Sequence, residues 1–213
     1  VGRSFLKHNY DTVAWCYDRF SRLVFGNAQV AAQVSLLSFI PQGAHILIAG
    51  GGTGWILEEI AKIHPSGLTI TYVDASEKMI ALAQKRNTGN NTVSYHTTDV
   101  EELFPNRKYD VVITSFFFDN FRPDKAVSLF AAIDRMLDTR SLWLYTDFRN
   151  TGRLSHRLLM KTMYAFFRIC CGVEATQMPD MDTCFKQRHY LTVAQRPYMN
   201  GFITALVYKK SIG

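Results

Sequence analysis

Residues 46 to 61 read "ILIAGGGTGWILEEIA", with four glycines in five positions directly behind an apolar run. Ile46 to Ala49 has the character of a buried parallel strand and Trp55 to Ala61 the spacing of a helix, so the glycines form the turn between them. A helix N-terminus is thereby aimed at whatever lies over Gly50, Gly51, Gly52 and Gly54. Its unpaired N–H groups and positive dipole end suit a nucleotide, a carboxylate or a phosphate.

Three nucleotide loops compete for this stretch. A P-loop needs Lys and then Ser or Thr behind its last glycine, but Gly54 is followed by Trp55 and Ile56. A dinucleotide fingerprint beginning at Gly50 and Gly52 would put its third glycine where Trp55 stands, and an indole obstructs the close packing that glycine exists to permit. What the residues match is G-x-G-x-G, at Gly50, Gly52 and Gly54.

Outward from the loop, apolar and β-branched runs alternate with helical patterns. Thr69 to Val73, Val93 to His96, Tyr109 to Thr114 and Ser141 to Tyr145 read as further strands, with helices opening at Ser76 and spanning Asp124 to Leu137. Such alternation specifies a largely parallel sheet covered on both faces. Before it, residues 10 to 39 show helical spacing broken at Gly26 and Asn27 and closed by the turn Pro41-Gln42-Gly43, which predicts two N-terminal helices. After it, "HYLTVAQRPYMNGFITALVYKK" is two strand-like runs joined by Asn200-Gly201, a hairpin signal, with Pro197 marking an edge or a bulge. The expectation is one α/β domain: residues 1–42 as N-terminal helices, 43–150 as a ligand-binding core, 151–183 as a helical insertion and 184–213 as a terminal antiparallel hairpin.

Composition sets limits on this reading. The 213 residues are 47% hydrophobic, enough for one full-sized core. No apolar stretch approaches the ~20 residues of a membrane span, and "VGRSFLKHNYD" has no apolar signal region. The four cysteines include no C-x-x-C pair, which favours a reduced, cytoplasmic setting. Val1 in place of Met points to a trimmed or partial chain. The net charge of +6 is unevenly spread: residues 1–139 carry −1 and residues 140–213 carry +7. A basic block of this kind serves nucleic acid, an anionic membrane or an acidic substrate, or it is merely a solvated face.

Five stretches in order, "ILIAGGGTG", "TYVDAS", "YHTTDVEEL", "YDVVITSFFFDNF" and "RMLDTRSLWLYTDF", resemble the motifs of the class I S-adenosylmethionine-dependent methyltransferases. Within that superfamily, "VAWCYDRFSRLVFG" and "FFFDNFRPDKA" are most similar to the ubiquinone/menaquinone-biosynthesis group. The resemblance implies a Rossmann-like, seven-stranded, mostly parallel sheet with helices on both faces and a C-terminal antiparallel hairpin, and S-adenosylmethionine as cofactor. It places the cofactor on Gly50, Gly51, Gly52 and Gly54, with the ribose hydroxyls on Asp74 beside Ala75. The adenine goes to Asp99 and the Val100 N–H, and Ser115 lies at the end of the fourth strand. As helix caps, Asp74 and Asp99 would have ordinary structural roles instead. One departure stands out: the acidic residue usual two positions before the first glycine is Ile48 here. That acid orients the methionine end of the cofactor, a task left to Tyr10, Tyr17 or the loop backbone.

Methyl transfer from a sulfonium needs alignment and a dry site, and calls for no metal. A hydroxyl or ring-carbon acceptor also needs a base, for which Asp119, Asp147, Tyr145 and His156 are candidates, each with an ordinary capping or packing alternative. His96, on the third strand, reads as structural. Phe116, Phe117, Phe118 and Phe121 would wall a small, largely apolar acceptor such as a quinone precursor or a phenol. The alternative is a methyltransferase-fold module docking to RNA or another macromolecule through its basic final third. No N-P-P-[YF]-like motif follows the fourth strand, and this argues against nucleic acid. Finally, residues 151–172 predict an amphipathic basic helix: Arg153, Arg157, Lys161 and Arg168 near one face, Leu154, Leu158, Ala165, Phe166 and Ile169 on faces that can bury. Such a helix would cover the acceptor pocket and could meet an anionic membrane.

Overall fold

The structure, a computed structural model, describes residues 26–103, 107–171 and 178–211, the side chains of 164–171 excepted. Five strands, β1 (His45–Ala49), β2 (Ser66–Asp74), β3 (Asn90–Thr97), β4 (Val111–Ser115) and β5 (Leu142–Phe148), precede β6 (Tyr190–Tyr198) and β7 (Ile203–Lys210). They form one sheet in the order β3-β2-β1-β4-β5-β7-β6. β1 to β5 pair in parallel, and β7 runs antiparallel to both β5 and β6. The expected Rossmann-like sheet and its antiparallel finish are therefore both present.

Among the described residues six helices accompany the strands: α1 (Ala28–Val34), α2 (Trp55–Ile63), α3 (Glu77–Ala83), α4 (Pro123–Asp134), α5 (Leu154–Cys171) and α6 (Met181–Gln187). Because side chains alternate across a strand, consecutive residues of β1 feed two cores. Ile46 and Ile48 pack with Ala32 of α1, Ile56 and Ile60 of α2 and Met163 of α5. Leu47 and Ala49 face the opposite way, toward Leu129 and Phe130 of α4 and Phe185 of α6. On that second face Trp143 stacks on Phe130 at 4.8 Å between centroids, and its indole N–H donates to Thr114 Oγ1 at 2.8 Å. Burying an indole this way satisfies its only donor. Chain order reverses about β1, whose neighbours are β2 and β4, so a crevice opens at the carboxyl ends of β1 and β4.

Several expectations are refined. β2 begins at Ser66, ahead of the predicted Thr69, and carries an irregularity between Ser66 and Thr69. The Asn200-Gly201 hairpin is real but wider than two residues: Met199, Asn200 and Gly201 all take positive φ. Pro197 lies on the edge strand β6 as expected, while the bulge falls between Thr192 and Ala194. α6 straddles the anticipated boundary between insertion and hairpin, and its signal was Asp180, whose side chain accepts from the Thr183 N–H. Leu154 and Leu158 were expected to be able to bury but are 80% and 67% exposed. α5 instead turns Leu159, Met160 and Met163 to the core. The side chains of Ala165, Phe166, Arg168 and Ile169, the first predicted N-terminal helix, Tyr10 and Tyr17 all lie outside the described residues.

Candidate active site

A cavity of about 210 Å³ lies over the glycine turn, between the strand ends and α1. The four glycines have different reasons for being there. A Cβ on Gly51 would fall 2.2 Å from Tyr72 Cζ, and one on Gly50 would fall 2.4 Å from Phe117 Cδ2. On Gly54, at φ +78°, a Cβ would fall 2.6 Å from Ala83 Cα in α3, so a side chain there would forbid this close packing. Only at Gly52, φ +63°, does nothing stand within 4 Å of the missing Cβ. Three of the glycines thus admit the protein's own atoms, and one is left open to the cavity.

The turn is held from several sides. Asp74, at the end of β2, accepts through Oδ2 from the Gly52 N–H and through Oδ1 from the Ser76 N–H, each at 2.9 Å. The Tyr72 hydroxyl donates to the Gly52 carbonyl at 3.0 Å, and Arg86 Nε donates to the Thr53 carbonyl at 3.0 Å. Capping of α3 falls to Ser76, whose hydroxyl accepts from the Met79 N–H. Asp99 opens a short 3-10 turn without capping it through its side chain, and faces the cavity. Asp74, Ala75, Ser115 and Gly50 to Gly52 line the same space, whereas Val100 is buried in the core beneath.

β4 is followed at once by a strained residue. Phe116 has φ +50°, a left-handed conformation costly for an aromatic residue. Asn120 holds it there, donating from Nδ2 to the Phe116 carbonyl at 2.7 Å. The result turns Phe116, Phe117 and Phe121 toward the cavity. Phe118 packs instead with Trp143 and Tyr145 and is fully buried, so three of the four predicted wall residues stand at the site.

The candidate bases stand elsewhere. Asp119 and Asp147 are buried behind the strand ends, and neither lines the cavity. Burial pushes Asp119 up to about 7. Burial, and then the neighbouring Asp119, raise Asp147 well above the carboxylate range, although it accepts from the Phe148 N–H at 2.8 Å and from Tyr145. Tyr145 is likewise raised by burial and then by Asp147. His156, in α5, pairs through Nδ1 with Thr151 Oγ1 at 2.6 Å and rests against the Phe202 ring. Sequence reasoning passed over Gln29, Val30 and Gln33 of α1, which line the cavity opposite the loop. No motif marks them, because their position depends on how α1 docks.

These residues fit an adenosylated amino acid. Gly52 presents its backbone to open space, carboxylates from β2 and from the end of β3 face the same cavity, and an aromatic wall follows on the β4 side. Residues 46–140 match the family model described as a methyltransferase domain. Among curated proteins, the malonyl-[acyl-carrier protein] O-methyltransferase of Bacillus cereus is 34% identical over 55% of this chain and 44% of its own length. The Bacillus anthracis protein of the same name is 27% identical over 88% of the chain and 76% of its length. The first match therefore spans less than half of that relative, and neither relative belongs to the ubiquinone/menaquinone group of the narrower resemblance. Magnesium protoporphyrin IX methyltransferase from Synechocystis, solved with S-adenosylhomocysteine, shares the fold at TM-score 0.70 and 18% identity, over 98% of this chain and 100% of that one. The DhpI–S-adenosylhomocysteine complex superposes at TM-score 0.72 and 13% identity, over the whole of both chains. Together with the five ordered motifs and the glycine cradle, these likenesses make residues 46–140 similar to a methyltransferase domain, in a chain that shares the fold of the solved methyltransferase structures.

Proposed function

We propose that this domain transfers a methyl group to a small, largely apolar, uncharged acceptor of the phenolic or quinone-precursor kind. The observation that carries this reading is the lining of the cavity. Among the described residues its only charged side chains are Asp74 and Asp99, and its acceptor side is Phe116, Phe117 and Phe121. Two carboxylates and no cation disfavour an anionic acceptor, while three aromatic rings reward an apolar one. In this reading Asp74 takes the ribose hydroxyls while keeping the turn closed, Asp99 and the Val100 N–H take the adenine edge, and Gly52 lets the backbone approach. Bound there, S-adenosylmethionine supplies an electrophilic methyl group for in-line displacement. The chain aligns the acceptor and excludes water from it.

A second reading follows the relatives: a malonyl group carried on acyl-carrier protein. It is favoured by the likeness to the Bacillus anthracis protein, which runs along 88% of this chain, and by the exposed Arg153, Arg157 and Lys161 beside Leu154 and Leu158 on α5. The same face would serve peripheral contact with an anionic membrane. A role for α5 as cover of the pocket rests on its place after β5, since none of its described side chains lines the cavity. No helix of the described residues is long and apolar enough to cross a membrane.

A methyl-transfer assay with radiolabelled cofactor, run across simple phenols, quinols, malonyl-carrier protein and RNA, separates these readings. Turnover of phenols or quinols is expected. Turnover of malonyl-carrier protein alone would transfer the assignment to the second reading, and turnover of RNA alone would overturn both.

A further inference from the structure

We infer that Gln29 and Gln33 of α1 hold the amino-acid end of the cofactor in place of the absent carboxylate at position 48. This rests on the cofactor assignment above and goes further, by naming how a departure from the family pattern is offset. Ile48 lines the cavity with an apolar side chain, so β1 offers the tail neither charge nor hydrogen bond from that position. Asp74 and Asp99 stand at the ends of β2 and β3, on the opposite flank of the turn from β4. α1, which packs against β7 and β6, contributes Gln29, Val30 and Gln33 to the cavity lining.

α1 is well anchored for such a task. Ala32 is fully buried against the sheet, and Arg196 of β6 donates to the Ser35 carbonyl just beyond the helix at 2.6 Å. With Ala32 turned to the core, Gln29 and Gln33 stand one helical turn apart and both line the cavity. Gln33 Nε2 donates to the Gln29 carbonyl at 3.3 Å, which fixes its amide and leaves its oxygen and second N–H for a ligand. The Gln29 amide makes no hydrogen bond with the described residues. An α-amino acid presents an ammonium and a carboxylate side by side. Two amides serve both, accepting from the first and donating to the second, without bringing a charge into the cavity.

The test compares two ligands that share the nucleoside and the thioether. S-adenosylhomocysteine carries the amino-acid tail, and 5′-methylthioadenosine ends in a methyl group. Calorimetric titration of the Gln29→Leu/Gln33→Leu double variant is expected to show binding of S-adenosylhomocysteine weakened about tenfold, with 5′-methylthioadenosine within twofold of the unsubstituted protein. Leucine is a good helix former and both positions are half-exposed, so α1 survives the change, and retained 5′-methylthioadenosine binding verifies it. Equal losses for the two ligands, or no loss for S-adenosylhomocysteine, would overturn the inference. If the unsubstituted protein binds neither nucleoside, the cofactor assignment falls and this one with it.

Discussion

Four aspartates end strands or open turns at the same edge of the sheet, and they divide into two pairs with opposite surroundings. Asp74 and Asp99 face the cavity, one accepting backbone N–H groups of the turn and the other standing exposed at its mouth. Asp119 and Asp147 lie buried behind the aromatic wall, within each other's field, where burial favours the protonated acid. A carboxylate at a strand end is therefore not a site in itself. What distinguishes the pairs is which way the backbone turns after the strand: the strained Phe116 and the Asn120 brace direct three rings into the cavity and leave Asp119 to the interior.

The largest effect expected of this contrast is on stability. Asp119 starts near 3.8 and is raised to about 7 in the fold, so its contribution is fully present below pH ~4 and is lost as pH rises through about 7. Asn in its place keeps an acceptor for Asn120 and removes the charge. Urea unfolding at pH 4 and pH 8 should show Asp119→Asn gaining on the order of 3 kcal/mol on the wild type between the two pH values. Parallel pH dependences would break the contrast.

Next comes the cavity pair. Asp74→Ala removes the proposed ribose acceptor and also frees the Gly52 N–H, so S-adenosylhomocysteine binding should weaken by about 2–3 kcal/mol. The smallest effect belongs to Asp99→Asn, which trades a charged for a neutral acceptor at an exposed position and should cost about 1 kcal/mol of binding. A reversed order, measured by calorimetry on folded variants, would move the ribose away from β2.

Much of this arrangement was legible in the chain. The strand–glycines–helix pattern, the five ordered motifs and the Asn200-Gly201 turn give the sheet, its closing hairpin and the cavity, because each rests on local spacing. What local spacing does not carry is non-local packing. That Gly50 and Gly51 admit Phe117 and Tyr72, leaving Gly52 open, depends on rings delivered by β4 and β2. Periodicity defines an apolar arc on α5 but not which part meets the sheet, so Leu154 and Leu158 lie outside and Met163 within. Gln29 and Gln33 look like ordinary surface residues until α1 is docked. The bases proposed from strand-end position failed to gather at the cavity for the same reason: position along a strand does not fix direction.

The most direct measurement is a calorimetric titration of S-adenosylhomocysteine into Asp74→Asn and Asp119→Asn side by side, at a pH where both variants are folded. Expected is a loss of tenfold or more for Asp74→Asn, with Asp119→Asn within about twofold of the wild type. Equal losses, or a larger loss at Asp119, would contradict the assignment of the cavity over Gly52 as the cofactor site.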